Sequence, residues 1–166
     1  NAKIQFDVGP SEPAKDPSVR SVGITGQMTG GRADLIVADD IEVPNNSSTQ
    51  IARDKLSESV KEFDAILKPG GEIVFLGTPQ TEQSIYNQLQ DRGYLARVWP
   101  ARFPSLPHSY GTTLAPIIEK CLGSNGNGLS GQSVDRDRFS DHDLMEREAS
   151  YGRSGFALQF MLDTRL

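Results

Sequence analysis

The sequence predicts an α/β fold, a mostly parallel sheet flanked by helices, and three observations predict it. Leu35-Ile36-Val37-Ala38 is a short apolar run, and Glu72-Ile73-Val74-Phe75-Leu76 is a second. Between them Leu56, Val60, Phe63 and Leu67 recur at steps of four, three and four, the spacing of one apolar helix face. Strand, helix and strand in that order make a βαβ unit, with parallel strands and a right-handed crossover.

Each element has a local reason. The run from Lys3 to Val8 reads as an opening strand. Residues 9–20, rich in Pro, Ser and charge, read as a loop, and Ser21 to Thr25 as a short strand. Gly26 to Arg32 is a flexible turn, because its glycines permit backbone angles that other residues resist. The Leu35–Ala38 run is continuous rather than alternating, as expected for a strand covered on both faces. Ser47-Ser48-Thr49 offers N-caps for a helix from about Gln50 to Lys68, with Asp64 and Lys68 as an outward i,i+4 pair. Pro69-Gly70-Gly71 stops that helix. A helix from Thr81 to Gln90 turns Ile85 and Leu89 inward and ends at Gly93. Tyr94 to Trp99 reads as a strand, 100–112 as irregular, Thr113 to Leu122 as a helix and 123–134 as a loop. Ser140 caps a helix from Asp141 to Tyr151, whose acidic first turn suits the helix dipole. Phe156, Phe160 and Met161 dock back on the core.

Bulk composition sets the bounds. At 166 residues the chain can bury a core, and 36% hydrophobic residues argue against disorder. No apolar run reaches membrane-spanning length, so no membrane partner is expected. No basic-apolar leader opens the sequence, so secretion is not expected. A lone Cys121 cannot form an internal disulfide and fits a reducing compartment. The net charge of −5 argues against broad DNA binding by this segment, although Arg92, Arg97, Arg102, Arg136 and Arg138 offer a local basic stripe. The sequence opens on Asn inside a strand-like run and closes at Leu166 without a tail, so it reads as a piece of a larger protein.

Open α/β sheets place ligands at the carboxyl ends of their strands. The first run ends in Asp39-Asp40, with Glu42 two residues on. Paired carboxylates at a strand end form the Walker B element of ATP- and GTP-hydrolysing enzymes, one acid near Mg²⁺ and the next near the attacking water. A strand followed by an Asx turn gives the same letters. Three acids in four positions are costly to hold together unless a cation or an arginine neutralises them. The second run ends in Gly77-Thr78-Pro79-Gln80. This is a helix N-terminus with a Thr cap, a coupling element whose hydroxyl senses the γ-phosphate, or both. Arg32, after two glycines, is a surface residue or an arginine finger, a group worth ~10³–10⁵ in rate.

Other patterns fail their mechanism. Gly126-Asn127-Gly128-Leu129-Ser130-Gly131 matches a dinucleotide fingerprint but follows no strand and opens no helix. His108, His142 and Cys121 lack ligand spacing for zinc. Asn46-Ser47-Ser48 matches a glycosylation sequon by chance. No lysine follows a glycine, so the sequence holds no P-loop; a nucleotide hydrolase would carry that loop upstream of Asn1.

The stretch from Val22 through Gly26-Gln27-Met28-Thr29-Gly30-Gly31-Arg32 to Asp39-Asp40 resembles the large terminase subunit of tailed bacteriophages, in particular the DNA maturase of the short-tailed type. So do Phe75-Leu76-Gly77-Thr78-Pro79-Gln80-Thr81, Arg147-Glu148 through Tyr151-Gly152, and Gly155 through Leu162. The resemblance covers roughly residues 20–166. It implies an ATPase with an ASCE-type P-loop core that drives viral double-stranded DNA into a procapsid, and a metal-dependent nuclease further along. Residues 1–152 would be the later part of the ATPase domain, and 153–166 the segment that closes it. By resemblance Asp39 matches the Mg²⁺ ligand in an ATP site. Asp40 matches the catalytic base, where many relatives carry Glu; being one methylene shorter, it holds its water closer or shares the task with Glu42. Gly77 and Thr78 match the nucleotide-side coupling motif, and Arg32 lies where some relatives carry a trans-acting finger. Implied partners are DNA, the portal and procapsid, the small terminase subunit and further copies in a ring, in the host cytoplasm. Three rivals share part of this pattern: a helicase-like nucleic-acid ATPase, a two-metal nuclease built on Asp39, Asp40 and Glu42, and a non-catalytic α/β scaffold.

Overall fold

A computed structural model describes residues 4–12, 14–26, 28 and 30–165. Lys3 of the expected first strand, Gln27 and Thr29 of the glycine-rich turn, and Leu166 lie outside the described residues. The structure is mixed α/β and divides into two units, Asn1–Gly77 and Thr78–Leu166.

In the first unit β1 (Ile4–Phe6) pairs antiparallel with β2 (Val19–Ser21). β2 starts two residues before the sequence places a strand. Its entry is tied down because Ser18 N–H donates to Asp7 Oδ1 at 3.0 Å and Val8 N–H donates to Ser18 Oγ at 3.1 Å. β3 (Ala33–Asp39) and β4 (Leu67–Leu76) form the parallel pair that the apolar runs predict. A four-residue helix α1 (Pro44–Ser47) and a long α2 (Gln50–Ile66) connect them.

α2 buries Leu56, Val60 and Phe63, the predicted face, and Phe63 stacks on Phe75 of β4 at 5.9 Å between ring centroids. Thr49 Oγ1 caps its start by accepting from Ala52 N–H at 3.2 Å. The helix ends at Ile66, two residues short of the expected Lys68. Leu67 is already extended, and Lys68 precedes Pro69, which disfavours helical backbone. Lys68 therefore leaves the helix and pairs with Asp34 at 2.8 Å. Pro69-Gly70-Gly71 lies within β4 as an irregularity in register. Gly70 adopts φ 79°, and a Cβ on Gly71 would sit 2.8 Å from the Asp34 carbonyl oxygen.

The sheet is smaller and barer than its sequence implies. Among the described residues β3 pairs with β4 alone. α2 covers one face, whereas Leu35 (54% exposed) and Val37 (55%) on the other face meet solvent, with Val74 and Leu76 beside them. The continuous apolar run states what the strand is suited to, while burial depends on the elements laid against it.

In the second unit α3 (Ile85–Asp91) buries Ile85 and Leu89 as predicted. It begins four residues after the expected Thr81, because Ser84 takes the cap and accepts from Tyr86 N–H at 3.2 Å. Tyr94 to Trp99 makes no strand beyond a single parallel bridge, Val98 to Leu114. α4 (Pro116–Asn125) starts three residues late, with Pro116 in the first turn, and runs into a 3-10 turn over Gly126–Leu129 where a loop was expected. Phe103, Leu114, Ala115 and Ile118 form the core here, packed against Tyr110, Leu122, Leu129 and Val134. α5 (Asp141–Gln159) is capped by Ser140 as predicted and kinks at Gly152, where φ is 71°. Phe156 is buried beyond the kink and stacks on Phe160 at 5.0 Å. Arg102 is spent inside this unit. It pairs with Glu148 at 2.5 Å and lies over the Phe156 ring at 4.6 Å, which removes it from the expected basic stripe.

The end of the chain straps across this unit. Tyr110 Oη donates to the Met161 carbonyl at 2.7 Å, and Arg165 donates to the Ser109 carbonyl and grips Asp163. The Arg165 hydrogen bonds hold the Asp163 carboxyl below the usual carboxylate range. Burial, then the Asp163 charge, push the Tyr110 phenol from 10.0 to about 12. A folded-state pKa above the unfolded one means that the folded chain holds the proton longer. The stability from neutral Tyr110 is present below pH 10 and is lost as pH rises toward 12. In an ultraviolet titration Tyr110→Phe should remove an ionisation step that lies near pH 12 in the folded protein.

Candidate active site

The register of the parallel pair places Asp39 beside Leu76, so both strands finish at one edge. Asp40 N–H then donates to the Leu76 carbonyl at 2.9 Å, one bond beyond the last strand residue. Asp40 has φ 45°, in the left-handed region. Asp tolerates this conformation because its short polar side chain relieves the crowding at Cβ. The turn sorts the acids. Asp39 and Asp40 remain exposed, while Ile41 (8% exposed) and Glu42 (2%) fold inward. Glu42 therefore does not join the other two in solvent. Asp39, Asp40 and Glu42 form no three-carboxylate group able to hold a metal ion, and neither do other His, Cys, Asp or Glu among the described residues.

The segment behind this tip is held by side chains of α1 and α2. Asn46 Nδ2 donates to the Ile41 carbonyl at 2.8 Å, and its Oδ1 accepts from Val43 N–H at 2.8 Å. Ser47, buried, donates its hydroxyl to the Val43 carbonyl at 2.8 Å. Arg53 of α2 reaches the Ser47 carbonyl at 2.8 Å and Gln50 Oε1 at 2.9 Å. The available signal was spacing. Asn46 stands three residues after Val43, where a capping box carries the side chain that reaches back.

The other expected residues lie elsewhere. Gly77 follows β4 and is exposed. Thr78 opens the second unit and is half-buried, and its carbonyl accepts from Gln80 Nε2 at 3.1 Å. It does not cap a helix, since Ser84 does. Thr81 Oγ1 is buried with no hydrogen-bond partner. Arg32 is exposed and donates to the Gly31 carbonyl at 3.0 Å. It immediately precedes β3, at the strand end opposite Asp39, about 20 Å away at ~3.3 Å per residue. Arg32 is thus out of reach of its own chain's Asp39-Asp40 tip.

The left-handed backbone at Asp40 gives a direct test of the tip. Asp40→Gly should leave the folded chain as stable or up to about 1 kcal/mol more stable, since glycine accepts positive φ freely. Asp40→Val should cost roughly 1–3 kcal/mol, because a β-branched residue is strained there. Urea unfolding of both variants measures the difference.

No family model matches the chain. It is similar to the "Terminase, large subunit" of Enterobacteria phage T3, with 51% identity over 169 aligned residues. The match takes in 98% of this chain and 29% of that protein, so the chain spans under a third of its relative's length. With every second residue shared across nearly all of its sequence, the chain belongs to the family of phage large terminase subunits of the short-tailed type.

Proposed function

We propose that the chain is the later part of a terminase ATPase domain with an ASCE-type P-loop core, coupling ATP hydrolysis to the movement of double-stranded viral DNA into a procapsid. In this reading residues 1–152 belong to that domain and 153–166 close it, ahead of a nuclease domain. The observation that carries the reading is the parallel β3–β4 pair ending in two exposed carboxylates, Asp39 and Asp40. No observation favours a helicase-like reading over it, and a two-metal nuclease would need a convergence of acids that Glu42 leaves.

The donor set fits Mg²⁺. This ion takes one or two protein carboxylates and fills its remaining positions with water and phosphate oxygens, so a single exposed Asp39 suffices without an all-protein cage. When bound, Mg²⁺–ATP supplies the scissile phosphoanhydride and a cation that neutralises charge on its phosphates. Asp39 holds the ion's position. Asp40 orients the attacking water and accepts its proton. The inward turn of Glu42 leaves the base role to Asp40. Gly77 and Thr78 follow the neighbouring strand in sequence and serve as the coupling element. Arg32, exposed and far from its own tip, is suited to complete the site of an adjacent copy in a ring. The portal and procapsid, the small terminase subunit and DNA are the partners of that ring in the host cytoplasm.

The test uses the full-length protein. Asp39→Ala should abolish Mg²⁺-dependent ATP hydrolysis. Asp40→Asn should keep nucleotide affinity and lose about 10²–10⁴ in rate, because it removes a base while preserving shape. Glu42→Gln should lower the thermal midpoint and leave kcat within about threefold. A dead Glu42→Gln beside an active Asp40→Asn would move the base to Glu42.

Arg32 is tested by mixing subunits. Arg32→Ala should cut assembled ATPase at least about a hundredfold, and Lys should not rescue it, since a point charge lacks the planar fork. Mixed rings of Arg32→Ala and Asp39→Ala subunits should regain activity where an intact tip meets an intact Arg32. No recovery in verified mixed rings would return Arg32 to a surface role.

A further inference from the structure

We infer that Asn46 is a positioning residue for the Asp39-Asp40 tip, an inference that rests on reading those acids as the hydrolytic site. Its amide grips the backbone just behind the tip at two points. Nδ2 donates to the Ile41 carbonyl and Oδ1 accepts from Val43 N–H, each at 2.8 Å. The three residues between Asp40 and Pro44 are thereby fixed at both ends by one rigid planar group. Asp40 itself is held from the other side, through its N–H on the Leu76 carbonyl at 2.9 Å. Between these anchors sits a backbone at φ 45°, which persists only where its surroundings impose it.

The clamp is itself held in place. Ser47 Oγ donates to the Val43 carbonyl at 2.8 Å, and Arg53 holds the Ser47 carbonyl at 2.8 Å. The chain is therefore tied from the tip through Asn46 and Ser47 to α2, the helix that packs on β4 through Phe63 and Phe75. Without the Ile41 bond, the left-handed turn at Asp40 could relax and swing its carboxylate. A displacement of about 1 Å in a reacting group can cost ~10²-fold in rate.

The competing role is helix capping alone, because Asn46 is also the third residue of α1 and reaches back to the cap N–H of Val43. The two roles separate on Asn46→Asp. A carboxylate accepts from Val43 N–H as well as an amide does, and it suits the first turn of a helix. It cannot donate to the Ile41 carbonyl. A capping role therefore predicts an Asn46→Asp protein of wild-type stability and wild-type rate.

The positioning role predicts something else in the full-length protein. Asn46→Asp and Asn46→Ala should both lower kcat for ATP at least about tenfold, with KM within about twofold. Exchange of the Asp40 amide hydrogen should quicken at least about tenfold in both, while that of Val74 in β4 stays unchanged. Asn46→Asp should keep its thermal midpoint. Wild-type kcat in Asn46→Asp overturns the inference. So does a slow Asn46→Asp beside a full-rate Asn46→Ala, which traces the effect to added charge. A variant that fails to fold also overturns it, because a group that only positions the tip is dispensable for folding. If Asp39→Ala and Asp40→Asn hydrolyse ATP normally, the reading of the site itself fails. If they are dead while both Asn46 variants run at full rate, the positioning role alone fails.

Discussion

One backbone ladder organises the first unit: the parallel pairing of Ala33–Asp39 with Leu67–Leu76, finished by Asp40 N–H on the Leu76 carbonyl. Side chains alternate along a strand, so a slip of one residue would exchange its faces. Ala38 would leave the α2 side, and Asp39 would point the other way. The register is held by the α2 face of Leu56, Val60 and Phe63 and by the fit of the Phe63 and Phe75 rings. Lys68 with Asp34 and the glycine irregularity at 70–71 fix the opposite end of the pair. Hydrophobic packing thus sets the alignment, and alignment sets where the acids emerge.

The positive φ of Asp40 then divides three acids that sequence alone would place together. Two remain in water, where ionised carboxylates are cheap to keep apart and available to a cation. The third turns into the unit. The arrangement leaves a tip of two exposed carboxylates. It also gives Arg32, at the far end of the strand, no access to that tip within one chain.

Much of this was legible in the sequence because it depends on local chemistry. The helix face of α2, the caps at Thr49 and Ser140, the inward Ile85 and Leu89, and the strand ending in Asp39-Asp40 all follow from spacing and propensity. What failed depends on neighbours remote in sequence. Lys68 meets Asp34, remote in sequence, because the chain straightens before Pro69. Leu35 and Val37 read as buried, yet burial needs a second layer that no described residue supplies. The helix start moved from Thr81 to Ile85, where Ser84 holds the cap. The clamp by Asn46 was hidden behind a sequon and a short helix, although its capping-box spacing was visible.

The most direct test of the central claim is where the metal of a nucleotide complex sits. Mn²⁺ substituted for Mg²⁺ with ATP on the full-length protein broadens the NMR signals of nearby amides. Selective loss of the Asp39, Asp40 and Gly77 amide signals, reversed by Asp39→Ala, is the predicted result. Broadening centred elsewhere, for example on the acidic stretch from Asp135 to Asp143, with the Asp39 and Asp40 signals intact, would contradict the account.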